Sequence, residues 1–331
     1  MAGRREWTRD DLAAGVREGD RRALARTISL VEDGDPLAYG VVADLYPQTG
    51  SAYSVGVTGP PGVGKSSLVS ALIRLVRERG VTVGVVSVDP SSPFSHGALL
   101  GDRIRLSDHF LDPDVFIRSM GTRGHLGGLA EAALQALLVL DAAGKDVVFL
   151  ETVGAGQSEV EVIGIVDTVL LVLMPGSGDA VQALKAGIME IPDVIAINKM
   201  DHPAAKTMQS EVRSILSLDK GRAWRPPIVL TDATRGENVP KLWAHIEAHR
   251  AFLVDEGLLE QRRREHLAAE VFAVASARAK VHLERAVAGD PELRRLLDEV
   301  QSRELDPLTA VREIIDKVFH LGDGNHGPGT H

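Results

Sequence analysis

Apolar residues change their rhythm twice along this chain. Over residues 1 to about 50 they recur at helical spacing, with Leu24, Ile28 and Val31 on one face. Thr8, Asp20 and Asp35 stand where N-caps belong, and Pro36 suits a first helical turn. From Tyr53 short apolar runs alternate with helical stretches. "YSVGVTG" ends in glycine and leads into "KSSLVSALIRLVRERG", where Leu68, Leu72, Leu75 and Val76 share a face ahead of Gly80. "VTVGVVSVD", "DVVFLE", "TVLLVLM", "DVIAINK" and "PPIVLTD" read as further strands. Strands apolar throughout and separated by helices predict a mostly parallel sheet covered on both faces. In such sheets function gathers at the C-terminal strand ends.

Beyond about residue 250 the strand signal stops. "QRRREHLAAEVFAVASARAKVHLERAV" sets Leu267, Val271, Val274 and Val281 on a narrow seam, and Asp290-Pro291 and Asp306-Pro307 each read as an N-cap before a first-turn proline. The expected organisation is an N-terminal helical segment over 1–50, an α/β domain over 51–250, a helical segment over 251–320 and a disordered tail over 321–331.

Composition narrows the classes. The chain has 331 residues, 44% hydrophobic and 25% charged, enough apolar material for a substantial core. Its formal charge of −9 argues against general nucleic-acid binding. No cysteine is present, which removes disulfides, thiolate metal sites and thiol nucleophiles and fits a cytoplasmic location. No run approaches a membrane span, and "MAGRREWTRDDL" lacks the apolar core of a signal peptide.

The chemistry is concentrated in a few loops. "GPPGVGKSS", Gly59, Pro60, Pro61, Gly62, Val63, Gly64, Lys65, Ser66 and Ser67, fits G-x-x-x-x-G-K-[ST] between a strand and a helix. Its glycines let backbone N–H groups curl round phosphates at a helix N-terminus. Lys65 is expected to reach the β- and γ-phosphates and Ser66 to ligate magnesium. "NKMD", Asn198, Lys199, Met200 and Asp201, closes a later strand. The Asp201 carboxylate can accept from guanine N1–H and its exocyclic amine, which adenine does not offer. "TDATRGENV" follows the next strand, and Asp232, Ala233 and Thr234 are expected to form a second base-contacting loop, with Asp232 where many GTPases have serine. Asp89, in "SVDPSS", and Asp102, in "LLGDRIRL", are each either a turn aspartate or, with Ser66 and Glu151, part of a magnesium group. "IRSMGTRGHLGG" carries Arg118, Arg123 and His125 in what reads as a glycine-rich loop, either solvated or charge-stabilising.

"FLETVGAGQSE" reads as the end of a buried strand running into a glycine loop, with Glu151 where most P-loop GTPases have aspartate. With "VDPSSPF", "GALLGDRIRL", "RGHLGG" and "MPGSGDAVQALKAGIMEIPDV" it resembles the MeaB/ArgK family, which includes the human methylmalonic aciduria type A protein. These are P-loop GTPases of the class named for a glutamate in the third G motif, whose members load metals or cofactors into enzymes. The resemblance runs from about residue 8 to 318 and is most specific over 55–201.

The resemblance implies a P-loop NTPase G domain flanked by N-terminal helices and a C-terminal helical dimerisation arm. It implies Mg-dependent hydrolysis of GTP to GDP, slow until a partner accelerates it, with Lys65, Glu151 and Asp102 catalytic and Ser66, Asp89, Asp102 and Glu151 around magnesium. "GSGDAVQALK" looks like the family's extra switch, with Asp179, Gln182 and Lys185 its polar members, although Asp179 also reads as the N-cap of a helix. The partner implied is an adenosylcobalamin-dependent acyl-CoA mutase, besides a second copy of the chain and a cobalamin adenosyltransferase. No tightly bound cobalamin is expected in the isolated protein. Within the class the rival is a metal-inserting GTPase, which needs soft or imidazole ligands; this chain has no cysteine and its 11 histidines form no cluster. An ATPase or kinase serving amino-acid transport is the other alternative, and Asp201 argues against ATP.

Overall fold

The computed structural model describes residues 7–89, 106–121, 128–152, 164–176, 192–218, 221 and 223–319. Three helices come first: α1 (Arg9–Arg17), α2 (Arg21–Glu32) and α3 (Pro36–Leu45). Thr8, Asp20 and Asp35 cap them, each side chain accepting a backbone N–H of the first turn. The strands are β1 (Tyr53–Thr58), β2 (Val83–Asp89), β3 (Val115–Gly121), β4 (Val147–Thr152), β5 (Thr168–Leu173), β6 (Val194–Ile197) and β7 (Ile228–Leu230). Between and after them come α4 (Lys65–Arg77), α5 (Gly128–Ala142), α6 (Ala205–Leu216), α7 (Val239–Asp255), α8 (Leu258–Gly289), α9 (Pro291–Gln301) and α10 (Pro307–Phe319).

The strands form one sheet in the order β3-β2-β4-β1-β5-β6-β7, every pair parallel. Being covered on both faces, β4, β5 and β6 are buried at every position. On one face Val55, Val57, Val85 and Phe149 pack with Leu68, Leu72 and Val76 of α4 and Leu242, Trp243 and Ile246 of α7. On the other, Val86, Val88, Leu150 and Val169 meet α5 and the first three helices through Leu24, Ile28 and Leu140. Each fully buried aliphatic side chain there contributes about 1.5–3 kcal/mol relative to exposure. Contacts group residues 1–270 into one unit and 271–331 into another. Within the second, α9 and α10 are capped by Asp290 and Asp306, and Lys317 pairs with Asp290 and Glu292. Among the described residues no helix is long and apolar enough to cross a membrane.

One strand departs from the sequence reading. Residues 117–121, expected in a glycine-rich loop, belong to β3, in register with β2 from Val83↔Val115 to Asp89↔Gly121. Arg118 is therefore neither solvated nor in a loop. Its Nη2 donates to Glu32 Oε2 of α2 at 2.7 Å and to Ser29 Oγ at 3.0 Å, and the Glu32 side chain is 2% exposed. A strand carrying a charge in its middle hides its β-pattern until the helix supplying the countercharge is in place.

At the N-terminal strand ends a buried polar cluster joins β1, β5, α7 and α8. Tyr53 OH is hydrogen-bonded to Thr168 Oγ1, which lies 2.7 Å from His249 Nδ1, while His249 Nε2 lies 3.3 Å from Asp193 Oδ1. Arg262 and Arg263 of α8 pair with Asp193 and Asp167. Burial outweighs the attraction of Asp193 and pushes the His249 imidazole down to about 4. In the unfolded chain the same imidazole titrates near 6.5, so below that pH the unfolded state takes a proton that the folded state refuses until about 4. Stability is thus fully present above pH 6.5 and falls with pH, by about 2 kcal/mol at pH 5. Denaturant midpoints at pH 8 and pH 5 measure this, and His249→Gln should lose that part of the difference.

Candidate functional site

β1 lies between β4 and β5, and its C-terminal end enters residues 59–64, which turn into α4. Two glycines make the turn possible. Gly59 has φ 142°, and a Cβ there would stand 2.1 Å from the Val172 carbonyl oxygen of β5. Gly64 has φ 94°, and a Cβ would stand 2.4 Å from Asn198 Nδ2. α4 starts without a side-chain cap, so its first N–H groups face the loop. This is an anion cradle with the helix dipole behind it.

Lys65 is 6% exposed, and its Nζ donates to the carbonyls of Gly59 at 2.7 Å and Pro60 at 3.0 Å. The ammonium is thereby folded back over its own loop, within reach of whatever the loop encloses. Ser66, 3% exposed, donates from Oγ to Glu151 Oε1 at 2.6 Å. Glu151 is 1% exposed near the end of β4. Two buried oxygen donors meeting beside a phosphate cradle are the hard ligand chemistry that magnesium takes. Among the described residues no group of three or more His, Cys, Asp or Glu is placed to hold a metal ion. The backbone of Asp89 ends β2 at the same sheet edge. Asp102, Asp179, Gln182 and Lys185 lie outside the described residues, as do Arg123 and His125.

The third corner is built around Asn198, 3% exposed at the end of β6. Its Nδ2 donates to the Val63 carbonyl at 2.9 Å, and its Oδ1 accepts from Ala233 N at 3.0 Å. One amide thus ties the phosphate loop to the loop after β7. Lys199 adopts φ 58°, and Asp201 follows with an exposed side chain. Asp232 Oδ1 accepts the backbone N–H groups of Thr234 and Arg235, so the aspartate that replaces the common serine turns its own loop. The sequence placed Asp232 in a base-contacting loop without this turn, and gave no sign of the Asn198–Val63 bridge, which spans 135 residues.

A phosphate cradle at the end of β1, with a buried lysine and an asparagine-braced loop beside an open aspartate, defines a P-loop GTPase. The comparisons agree. A family model described as Methylmalonyl Co-A mutase-associated GTPase MeaB matches residues 24–288, and the chain belongs to that family. A putative GTPase of Pyrococcus abyssi is 46% identical over 317 residues, covering 95% of this chain and 98% of that one. The mitochondrial methylmalonic aciduria type A homolog of Mus musculus is 34% identical over 273 residues, 77% of this chain and 66% of that one. A crystal structure of a LAO/AO transport system kinase superposes with a TM-score of 0.73 at 28% identity, covering 96% of this chain and all of that one. The chain is therefore a GTPase that binds guanine nucleotides.

Proposed function

We propose that this GTPase is a chaperone of an adenosylcobalamin-dependent acyl-CoA mutase, gating cofactor loading and protecting or reactivating the enzyme. Methylmalonyl-CoA mutase or a close relative is the enzyme served, as the family's description and the mouse homolog's name suggest. The observation that carries the reading is the 2.6 Å contact between Ser66 and Glu151. It joins the phosphate loop to the strand end from which the chain leaves toward residue 153, so a change at the γ-phosphate is felt where β4 gives way to the next segment.

In this reading the N–H groups of 62–66 hold the phosphates while Lys65 exchanges its two loop carbonyls for phosphate oxygens. Asp201 accepts the two guanine donors, and Asn198 keeps that loop against Val63. Ser66 and Glu151, with Asp89 and Asp102, hold magnesium, which neutralises phosphate charge when bound. Lys185 couples the nucleotide state to the partner, since a flexible cation can pair in one state and release in the other. The chain works as a homodimer through its C-terminal helices. Support comes from Val271, Phe272, Leu308 and Val311, which are 65%, 73%, 80% and 52% exposed there.

The test uses the mutase of the same organism. Exchanging GDP for GTP should change the affinity for mutase at least about 5-fold, mutase should accelerate hydrolysis, and nucleotide should alter cofactor transfer. Lys185→Ala should blunt these effects with GTP affinity retained. If no acyl-CoA mutase binds in either nucleotide state, the chaperone role fails while the GTPase stands.

A further inference from the structure

Ahead of its terminal Asp89, β2 breaks its apolar pattern at Ser87. Val83 and Val85 pack on the α4 side of the sheet and Val86 and Val88 on the other, so the alternation puts Ser87 on the α4 side, deep in the core at 2% exposure. Its Oγ is buried and has no hydrogen-bond partner among the described residues. The register explains why this matters. Ser87 lies level with Glu151 of β4 on one side and with Ser119 of β3 on the other. Val147 and Phe149 face α4, so Glu151 faces it too, and Ser66 Oγ of α4 meets it there. Ser119, 8% exposed, has the same parity as Val115. Three polar side chains therefore form a row across three adjacent strands, about 4.8 Å apart, one layer below the sheet's C-terminal edge.

A buried hydroxyl with no protein partner costs the fold stability unless a water satisfies it. Valine would suit a buried strand position better. Local rules are broken in this way where a site needs the group. A buried water needs two to four polar partners, and Ser87, Ser119 and Glu151 offer three.

We propose that Ser87 is a positioning residue of the GTPase site. Its hydroxyl holds, through an ordered water, the Glu151 carboxylate in the orientation that magnesium binding requires. The role rests on Glu151 and Ser66 serving magnesium. Without the hydroxyl the carboxylate loses its lateral anchor, while the 59–64 turn keeps its own contacts with Lys65 and Asn198.

Three proteins decide it: wild type, Ser87→Ala, and Ser87→Thr, which keeps the hydroxyl on a residue suited to a strand. Magnesium binding to the GDP complex is titrated by calorimetry, hydrolysis is followed against magnesium concentration, and melting is recorded in EDTA. Ser87→Ala should weaken magnesium binding about 10-fold, the scale for loss of a group that orients a metal ligand. Its rate at saturating magnesium and its GDP affinity in EDTA should stay near wild type. In EDTA its melting temperature should stay within about 2 °C of wild type, since the packing of β2 is kept. Ser87→Thr should restore the magnesium dependence. Unchanged magnesium binding in Ser87→Ala, or loss of GDP affinity and melting temperature together, overturns the proposal. A wild type indifferent to magnesium overturns the reading beneath it and this role with it.

Discussion

Lys65→Ala should lower GTP hydrolysis by about 10³-fold, because the reaction loses the one side-chain cation built into its phosphate loop. The structure gives reasons for so large an effect. Lys65 is 6% exposed, and its ammonium donates to the Gly59 and Pro60 carbonyls of the loop. Those two contacts keep the charge over the loop that encloses the phosphates. In a site this enclosed the ammonium acts at lower dielectric than in water, which magnifies its effect on developing charge. The fold should persist, since α4 is held by Leu68, Leu72 and Val76 and not by this side chain. Phosphate release under saturating GTP, with a thermal melt as control, is the measurement. Hydrolysis by Lys65→Ala at the wild-type rate would remove this loop from the chemistry.

How much of this was legible beforehand follows from which interactions are local. The β1–loop–α4 unit was readable because its signals sit in one stretch from Tyr53 to Gly80: an apolar run, glycines where only glycine fits, and an apolar helix face with a glycine just beyond its end. The caps at Thr8, Asp20 and Asp35 were readable for the same reason, each bond reaching two or three residues. β3 was hidden because Arg118 and Ser119 interrupt its apolar run, and the group that makes Arg118 tolerable, Glu32, is 86 residues away. The cluster of Tyr53, Thr168, His249 and Asp193 was invisible for a similar reason. Each residue looks ordinary in its own segment, and only the return of α7 and α8 beneath the sheet brings them together. At the site, Glu151 was legible as a departure from a known pattern, and its contact with Ser66 joins residues 85 apart in sequence.

Asp201→Asn should cost about 10³-fold in GTP affinity and turn the preference toward XTP. The carboxylate can accept from both guanine N1–H and the exocyclic amine, and bonds to a charged acceptor are about twice as strong as neutral ones. The amide offers a donor where the guanine amine also donates, so one hydrogen bond is replaced by a clash of like groups. Xanthine carries a carbonyl in place of that amine, which the amide N–H can meet. The structure makes the substitution a clean probe. Asp201 is exposed, and its loop is braced by other groups: Asn198 on Val63 and Ala233, and Met200 N on the Thr231 carbonyl. Lys199, at φ 58°, sets the turn through its backbone, so an isosteric change two residues on leaves the loop in place. Calorimetric titration of both nucleotides into wild type and variant gives the result directly. If the variant bound GTP as tightly as wild type and gained nothing for XTP, another residue would read the base, and the exposed edge of the Asp232–Thr234 loop would be the place to look for it.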